Sequence, residues 1–142
     1  MMTTSIHIPY LLLADDDPDD RYLFLEAFRH QNPGILVEQV DGGMAALEYL
    51  KEAADLPVAL VLDYQMPDLS GPEVLQQLAI NDRYMHIVKI IWSNSQPDMK
   101  IEECKRLGAD HYIKKPANDI ELDTIVYRVR TIFDLAALLR SD

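Results

Sequence analysis

The chain has 142 residues, enough for one ordinary domain, and at 49% apolar it can bury a full core. Its net charge is −11, from 13 basic and 24 acidic residues, which argues against a nucleic-acid-binding surface and against docking on an anionic membrane. No apolar run approaches membrane-spanning length, Met1-Met2-Thr3-Thr4-Ser5 lacks a signal pattern, and the single cysteine, Cys104, precludes an intrachain disulfide and fits a reducing cytoplasm.

In chain order, the first apolar run, Ile8–Ala14, predicts a buried strand and ends on Asp15, Asp16 and Asp17. Three like charges at a strand end are costly to hold together, and a divalent cation is the natural compensation; oxygen ligands of this kind suit Mg²⁺. A helix follows over Pro18–His30, with Asp17 as N-cap and Pro18 at its first position. Its apolar face is Tyr22, Leu25 and Phe28, widened by Leu23, Phe24 and Ala27, and Pro33-Gly34 stops it. The second strand is Ile35–Val40, and Asp41-Gly42-Gly43 turns into a helix over Gly43–Ala54 carrying Met44, Leu47 and Leu50.

The third strand, Val58–Leu62, runs into Asp63-Tyr64-Gln65-Met66-Pro67, and a helix over Pro72–Ile80 carries Val74, Leu75 and Leu78. Ile87–Trp92 predicts the fourth strand, followed by Ser93, Asn94 and Ser95, with Ser95 a candidate cap for a helix over Pro97–Leu107 that Gly108 terminates. Ala109–Ile113 predicts the fifth strand, followed by Lys114, Lys115 and Pro116. The last helix starts near Asn118 and reaches toward Leu139, with Leu122, Ile125, Val126, Val129, Ile132, Phe133 and Ala136 facing inward. Ile120, Tyr127, Leu135, Leu138 and Leu139 lie partly off that stripe, as either a wide core face or a surface for a partner, including a second copy of the chain.

Strand and helix alternate five times, which predicts an α/β fold: a doubly wound parallel sheet covered by helices on both faces. Ligands of such sheets bind beyond the carboxyl ends of the strands. There the sequence places carboxylates after the first and third strands, a hydroxyl after the fourth and an ammonium after the fifth. That set suits Mg²⁺ binding and phosphoryl transfer to a central carboxylate, with the metal and the lysine neutralising phosphoryl oxygens. His7, His30, His86 and His111 show no ligand spacing, and Cys104 reads as inert helix packing.

On four signals in order, Asp15-Asp16, Asp63 with Met66-Pro67 and Gly71, Ser93, and Lys115-Pro116, the chain resembles the receiver domain of bacterial two-component response regulators. The resemblance runs from about Ile8 to Ile132 and implies a flavodoxin-like five-stranded sheet of order 2-1-3-4-5, with residues 1–142 as one receiver domain whose core is about 8–132 and whose last helix extends to about 139. It implies Asp63 as phosphoacceptor, Mg²⁺ on Asp16, Asp63 and the Gln65 carbonyl, and Asp15 acting through metal-bound water. Ser93 then matches the switch hydroxyl, Lys115 the phosphoryl-pairing lysine, and Tyr112 the aromatic switch, against plain packing for that ring. A cis Lys115-Pro116 peptide is a further family expectation. Asn94 stands where the family usually has a small residue, and Gln65 holds a position that tunes dephosphorylation. Tyr64 and the extra acids Asp19 and Asp20 acquire no role.

The implied function is phosphoryl acceptance from a sensor histidine kinase or histidine phosphotransfer protein, with output by altered binding to another protein, since no output domain follows Asp142. Two other readings compete: a receiver-like scaffold independent of phosphorylation, and an aspartate-based phosphohydrolase. The latter usually carries a second Asp two residues after the acceptor, where Gln65 stands. A flavin or nucleotide site is disfavoured, because an Asp run after the first strand repels phosphate.

Overall fold

Runs such as Leu11-Leu12-Leu13 and Leu60-Val61-Leu62 place apolar side chains on both faces of a strand, so each must be covered twice. The structure, a computed structural model describing residues 8–140, does this with a five-stranded parallel sheet. In chain order the elements are β1 (Tyr10–Ala14), α1 (Pro18–Gln31), β2 (Leu36–Val40), α2 (Gly43–Glu52), β3 (Ala59–Asp63), α3 (Gly71–Ala79), a short 3₁₀ turn (Asp82–Tyr84), β4 (Val88–Ser93), α4 (Asp98–Arg106), β5 (His111–Lys114) and α5 (Asp119–Leu139). The strand order is β2-β1-β3-β4-β5, as the resemblance implies.

Leu11, Leu13, Val61, Ile90 and Trp92 face α1 and α5, where Phe24, Phe28, Val126, Val129 and Phe133 cover them. Leu12, Leu60, Leu62 and Ile91 point the other way, onto Leu50, Leu75, Leu78 and Cys104 of α2, α3 and α4. Full burial of one such leucine stabilises the fold by about 1.5–3 kcal/mol, so the two half-cores fix the register. Leu62 pairs with Ala14, Trp92 with Asp63, and Lys114 with Ser93. The strand ends carrying Asp15, Asp63, Ser93 and Lys115 therefore meet at one edge of the sheet.

Several local expectations change. β1 starts at Tyr10, leaving Ile8 exposed, because Pro9 has no N–H to give a ladder. Tyr22 and Leu23 of α1 point into solvent, and Phe24, Leu25 and Phe28 carry the contact. On α2, Ala46 takes the inward position and Met44 is exposed. Ser95 does not cap α4, whose N-cap is Pro97 without a side-chain bond. Ser70 and Glu73 form an unanticipated capping box that starts α3 at Gly71. Gly108 (φ 112°) ends α4 in the left-handed region, as its position suggests. Among the described residues no peptide is cis, so Lys115-Pro116 is trans. Ile120, Tyr127, Leu135, Leu138 and Leu139 are all exposed, which removes the wide-core alternative. His7 and Met1–Ser5 lie outside the described residues.

Gly71 shows how tightly this edge is built. Its N–H donates to the Tyr64 carbonyl (2.8 Å), and a Cβ there would lie 2.7 Å from the Asp63 carbonyl oxygen and 3.1 Å from Ile91 Cδ1. Gly71→Ala is expected to cost about 1–3 kcal/mol by overpacking, read as a lower denaturation midpoint at unchanged slope; an unchanged midpoint would show that the loop yields freely.

Candidate functional site at the carboxyl edge of the sheet

Local structure fixes each acid differently. Asp17 caps α1, accepting from the N–H groups of Asp19 (2.9 Å) and Asp20 (3.5 Å). Asp15 is fully buried: its Oδ1 accepts from the Asp17 N–H (2.9 Å) and its carbonyl from the Arg21 guanidinium (2.6 Å). Arg21 is held in turn by Gln39 (3.2 Å). Asp63, at the end of β3, accepts from the Gln65 N–H (3.3 Å). Asp16 reaches solvent beside them.

Lys115 binds the cluster together. Its backbone N–H donates to the Ser93 carbonyl (2.7 Å), continuing the β4–β5 ladder, and its ammonium lies 2.9 Å from Asp15, 2.8 Å from Asp20 and 3.3 Å from Asp63. It also sits 4.9 Å from the centre of the Trp92 ring. Burial alone would lower this ammonium's pKa, but the hydrogen bond to Asp20, the close Asp15 carboxylate and the charge of Asp63 outweigh it and hold it above the usual lysine range. Burial and the Asp15 carboxylate push Asp63 up to about 7, against the opposing pull of Lys115 and the Gln65 N–H. A proton on Asp63 relieves like charges at close range; so would a cation.

The donor set fits such a cation. Asp15, Asp16 and Asp63 each offer a carboxylate oxygen, all within 4.8 Å of one another. Asp15 Oδ2 is buried and, although beside Lys115, accepts no well-aligned hydrogen bond. Hard oxygens with one under-coordinated buried member suit a divalent metal.

Asp16, Asp17, Asp20, Asp63, Gln65, Ser93, Asn94, Ser95 and Lys115 line one small pocket of about 170 Å³. Larger hollows lie elsewhere. One of about 510 Å³ is lined by residues before β1, by Asp55 and Val58 before β3, and by Arg83 and Arg140, whose guanidiniums bind backbone carbonyls of Leu50, Ala53 and Pro57. Those arginines tie down the end of α2 and the segment leading into β3, so size is a poorer guide than converging charge.

Ser93 is buried at the pocket wall, and its Oγ accepts from the Ser95 N–H (3.3 Å). Tyr112 is turned inward, and its hydroxyl donates to the Ser95 carbonyl (2.8 Å), so its tip is bonded to protein rather than left to water. Tyr64 gains a structural place: its hydroxyl reaches Glu103 (3.2 Å), Lys100 sits 4.7 Å from its ring centre, and its ring lies 6.4 Å from that of Tyr112. It thereby connects the residue after Asp63 to α4. Burial and the Glu103 carboxylate push its phenol up to about 12. Asp68, also unforeseen, crosses from the β3–α3 loop to cap α2 through the N–H groups of Gly43 (3.2 Å) and Met44 (3.0 Å). No spacing rule reveals Tyr64–Glu103 or Asp68–α2, because both join distant segments.

A parallel α/β sheet carrying acids, hydroxyl and lysine at its carboxyl edge defines a class of signalling module, and sequence comparison agrees. Residues 11–127 match the family described as response regulator receiver domain. The two-component response regulator ORR12 of Oryza sativa subsp. japonica is 30% identical over 118 residues, covering 83% of this chain and 95% of that protein. ORR5 of the same subspecies is 28% identical over 121 residues, covering 85% and 88%. Among solved structures, the phosphorylated cyanobacterial phytochrome response regulator RcpA superposes with a TM-score of 0.81 at 27% identity, covering 89% of this chain and 94% of that one. A CheY-like receiver domain protein from Methanospirillum hungatei JF-1 (TM-score 0.74, 21% identity, covering 92% and 97%) shares the fold. The chain belongs to the response regulator receiver domain family of two-component signalling. Such a domain is a phosphoacceptor signalling module rather than a catalytic enzyme, and receiver domains take their phosphoryl group from histidine kinases or phosphotransfer proteins. Among the described residues no helix is long and apolar enough to cross a membrane.

Proposed function

We propose that Asp63 of this chain accepts a phosphoryl group from a phosphohistidine donor with Mg²⁺ bound, and that the domain then signals by altered protein binding. The observation carrying this is the convergence of Asp16, Asp63 and the Lys115 ammonium on one small pocket at the ends of β1, β3 and β5, with the buried Asp15 carboxylate against the same ammonium and acids. Asp16, Asp63 and the Gln65 carbonyl would hold Mg²⁺, with Asp15 acting through a metal-bound water. The metal supplies charge neutralisation for phosphoryl oxygens.

An Asp63 carboxylate oxygen attacks phosphorus, the P–N bond of the donor breaks, and the histidine imidazole leaves and takes up a proton. Positioning and electrostatics suffice, so no separate acid–base residue is required. Lys115 follows the transferred charge, and the Ser93 hydroxyl donates to a phosphoryl oxygen once freed from the Ser95 N–H. Since the Ser95 carbonyl also holds Tyr112, movement of this loop passes to the ring and to α4. Gln65 and Asn94, both exposed at the pocket mouth, tune donor and water access.

The reading covers the whole chain as one receiver domain acting in the cytoplasm, with core 8–132 and α5 extended to 139. It includes a homodimer through the exposed α5 residues Ile120, Tyr127, Leu135 and Leu139. Sedimentation should show self-association rising with concentration and lost in Tyr127→Glu; a concentration-independent monomer would remove the dimer. The phosphoryl assignment is tested by intact mass after incubation with Mg²⁺ and phosphoramidate, then with a phosphorylated histidine protein. Gain of one phosphoryl group is expected, and failure with both donors would favour a scaffold that works without phosphorylation.

A further inference from the structure

Asp20 has no part in the roles above, yet it makes the shortest contact to the Lys115 ammonium, 2.8 Å across 95 residues of chain. We propose that Asp20 is a positioning residue whose carboxylate latches the Lys115 ammonium in the unphosphorylated protein and must release it when Asp63 carries a phosphoryl group. This rests on Asp63 being the acceptor.

A lysine ammonium has only three N–H donors. Asp15, Asp20 and Asp63 surround it at 2.9, 2.8 and 3.3 Å. Only the Asp20 contact is a well-aligned hydrogen bond, so a phosphoryl oxygen arriving on Asp63 competes with Asp20 for the ammonium. Asp15 is the wrong partner to lose, because its side chain is 0% exposed and would be left as an unpaired buried charge. Asp63 is the reacting group, 8% exposed. The Asp20 side chain is 30% exposed and lines the pocket mouth, so its return to water costs least. Its place is set by the first turn of α1, where Pro18 and the Asp17 cap fix the backbone.

The plainer role for Asp20 is a negative charge at a helix N-terminus. Asp19 occupies the same turn, is exposed, and makes no contact with Lys115 among the interactions of the described residues. It provides the control for charge alone.

The test is equilibrium binding of fluoroberyllate, an inorganic phosphoryl mimic, in the presence of Mg²⁺. Fluorine NMR follows the bound anion, and emission of Trp92, the only tryptophan, follows the nearby ammonium. The half-saturating concentration for Asp20→Asn should fall about 3- to 5-fold below that for Asp19→Asn, the scale of a partly exposed ion pair. The gap should persist at raised salt, which screens the general repulsion of the anion by the protein's acidic charge. Asp20→Glu should return toward wild type, and phosphorylation by phosphoramidate should quicken in Asp20→Asn alone. Equal or weaker binding by Asp20→Asn relative to Asp19→Asn overturns the latch while leaving Asp63 as acceptor. If no variant binds the mimic and wild type gains no phosphoryl group, the acceptor assignment and the latch both fail.

Discussion

Asp63→Asn should abolish phosphoryl gain completely and at the same time stabilise the metal-free protein above neutral pH. The first effect follows from loss of the attacking carboxylate. The second follows from linkage. Asp63 is pushed from 3.8 to about 7 in the fold, so between these values the unfolded chain releases a proton that the folded chain keeps. Its contribution is fully present below 3.8 and is lost as pH rises through about 7. Wild type without metal should therefore lose stability over that window, while Asp63→Asn should lose much less. Mg²⁺ should restore wild type increasingly as pH rises, because the ion requires the carboxylate. Thermal melts across pH, with and without Mg²⁺, check the sign. Equal pH profiles for both proteins would mean that Asp63 is not the titrating member of the cluster; phosphoryl gain by the variant would remove Asp63 as acceptor.

Lys115→Met should be the most destabilising change at the site. The ammonium is nearly buried and is the only cation touching Asp15 and Asp63 among the described ion pairs. Methionine retains most of the volume but leaves those carboxyl groups facing one another. Removing one partner of a buried charge network costs about 3–5 kcal/mol, and that loss should appear in metal-free denaturation at about pH 8. Acidification should recover part of it by protonating Asp63. Mg²⁺ should recover more, since the carboxylates remain, while phosphorylation or its readout stays impaired. A variant as stable as wild type at every pH would show that Lys115 is not what holds the acids together; normal phosphorylation and output would contradict its pairing role.

Much of this protein is written locally. Five apolar runs and five helical stripes carry the alternation of a parallel sheet, and the strand-end rule points to Asp15, Asp16, Asp63, Ser93 and Lys115 without coordinates. The same local logic marks Asp17 as a cap, Gly108 as a stop and the start of the last helix near Asn118. It fails where one helix face must be chosen from an almost continuous apolar run. Tyr22 and Leu23 read as core together with Phe24 and Leu25, and Met44 reads as core on α2, but the neighbours available in space keep only Phe24 and Leu25 of these and take Ala46 in place of Met44. It fails as well where a side chain finds a partner far along the chain. Asp68 onto the start of α2, Tyr64 onto Glu103 and Asp20 onto Lys115 are meetings across 24 to 95 residues. Spacing encodes which groups share a helix turn or a strand face. Which carboxylate an ammonium grips, and how far burial lifts the pKa of Asp63, depend on distance and dielectric, and these exist only once the sheet edge has closed.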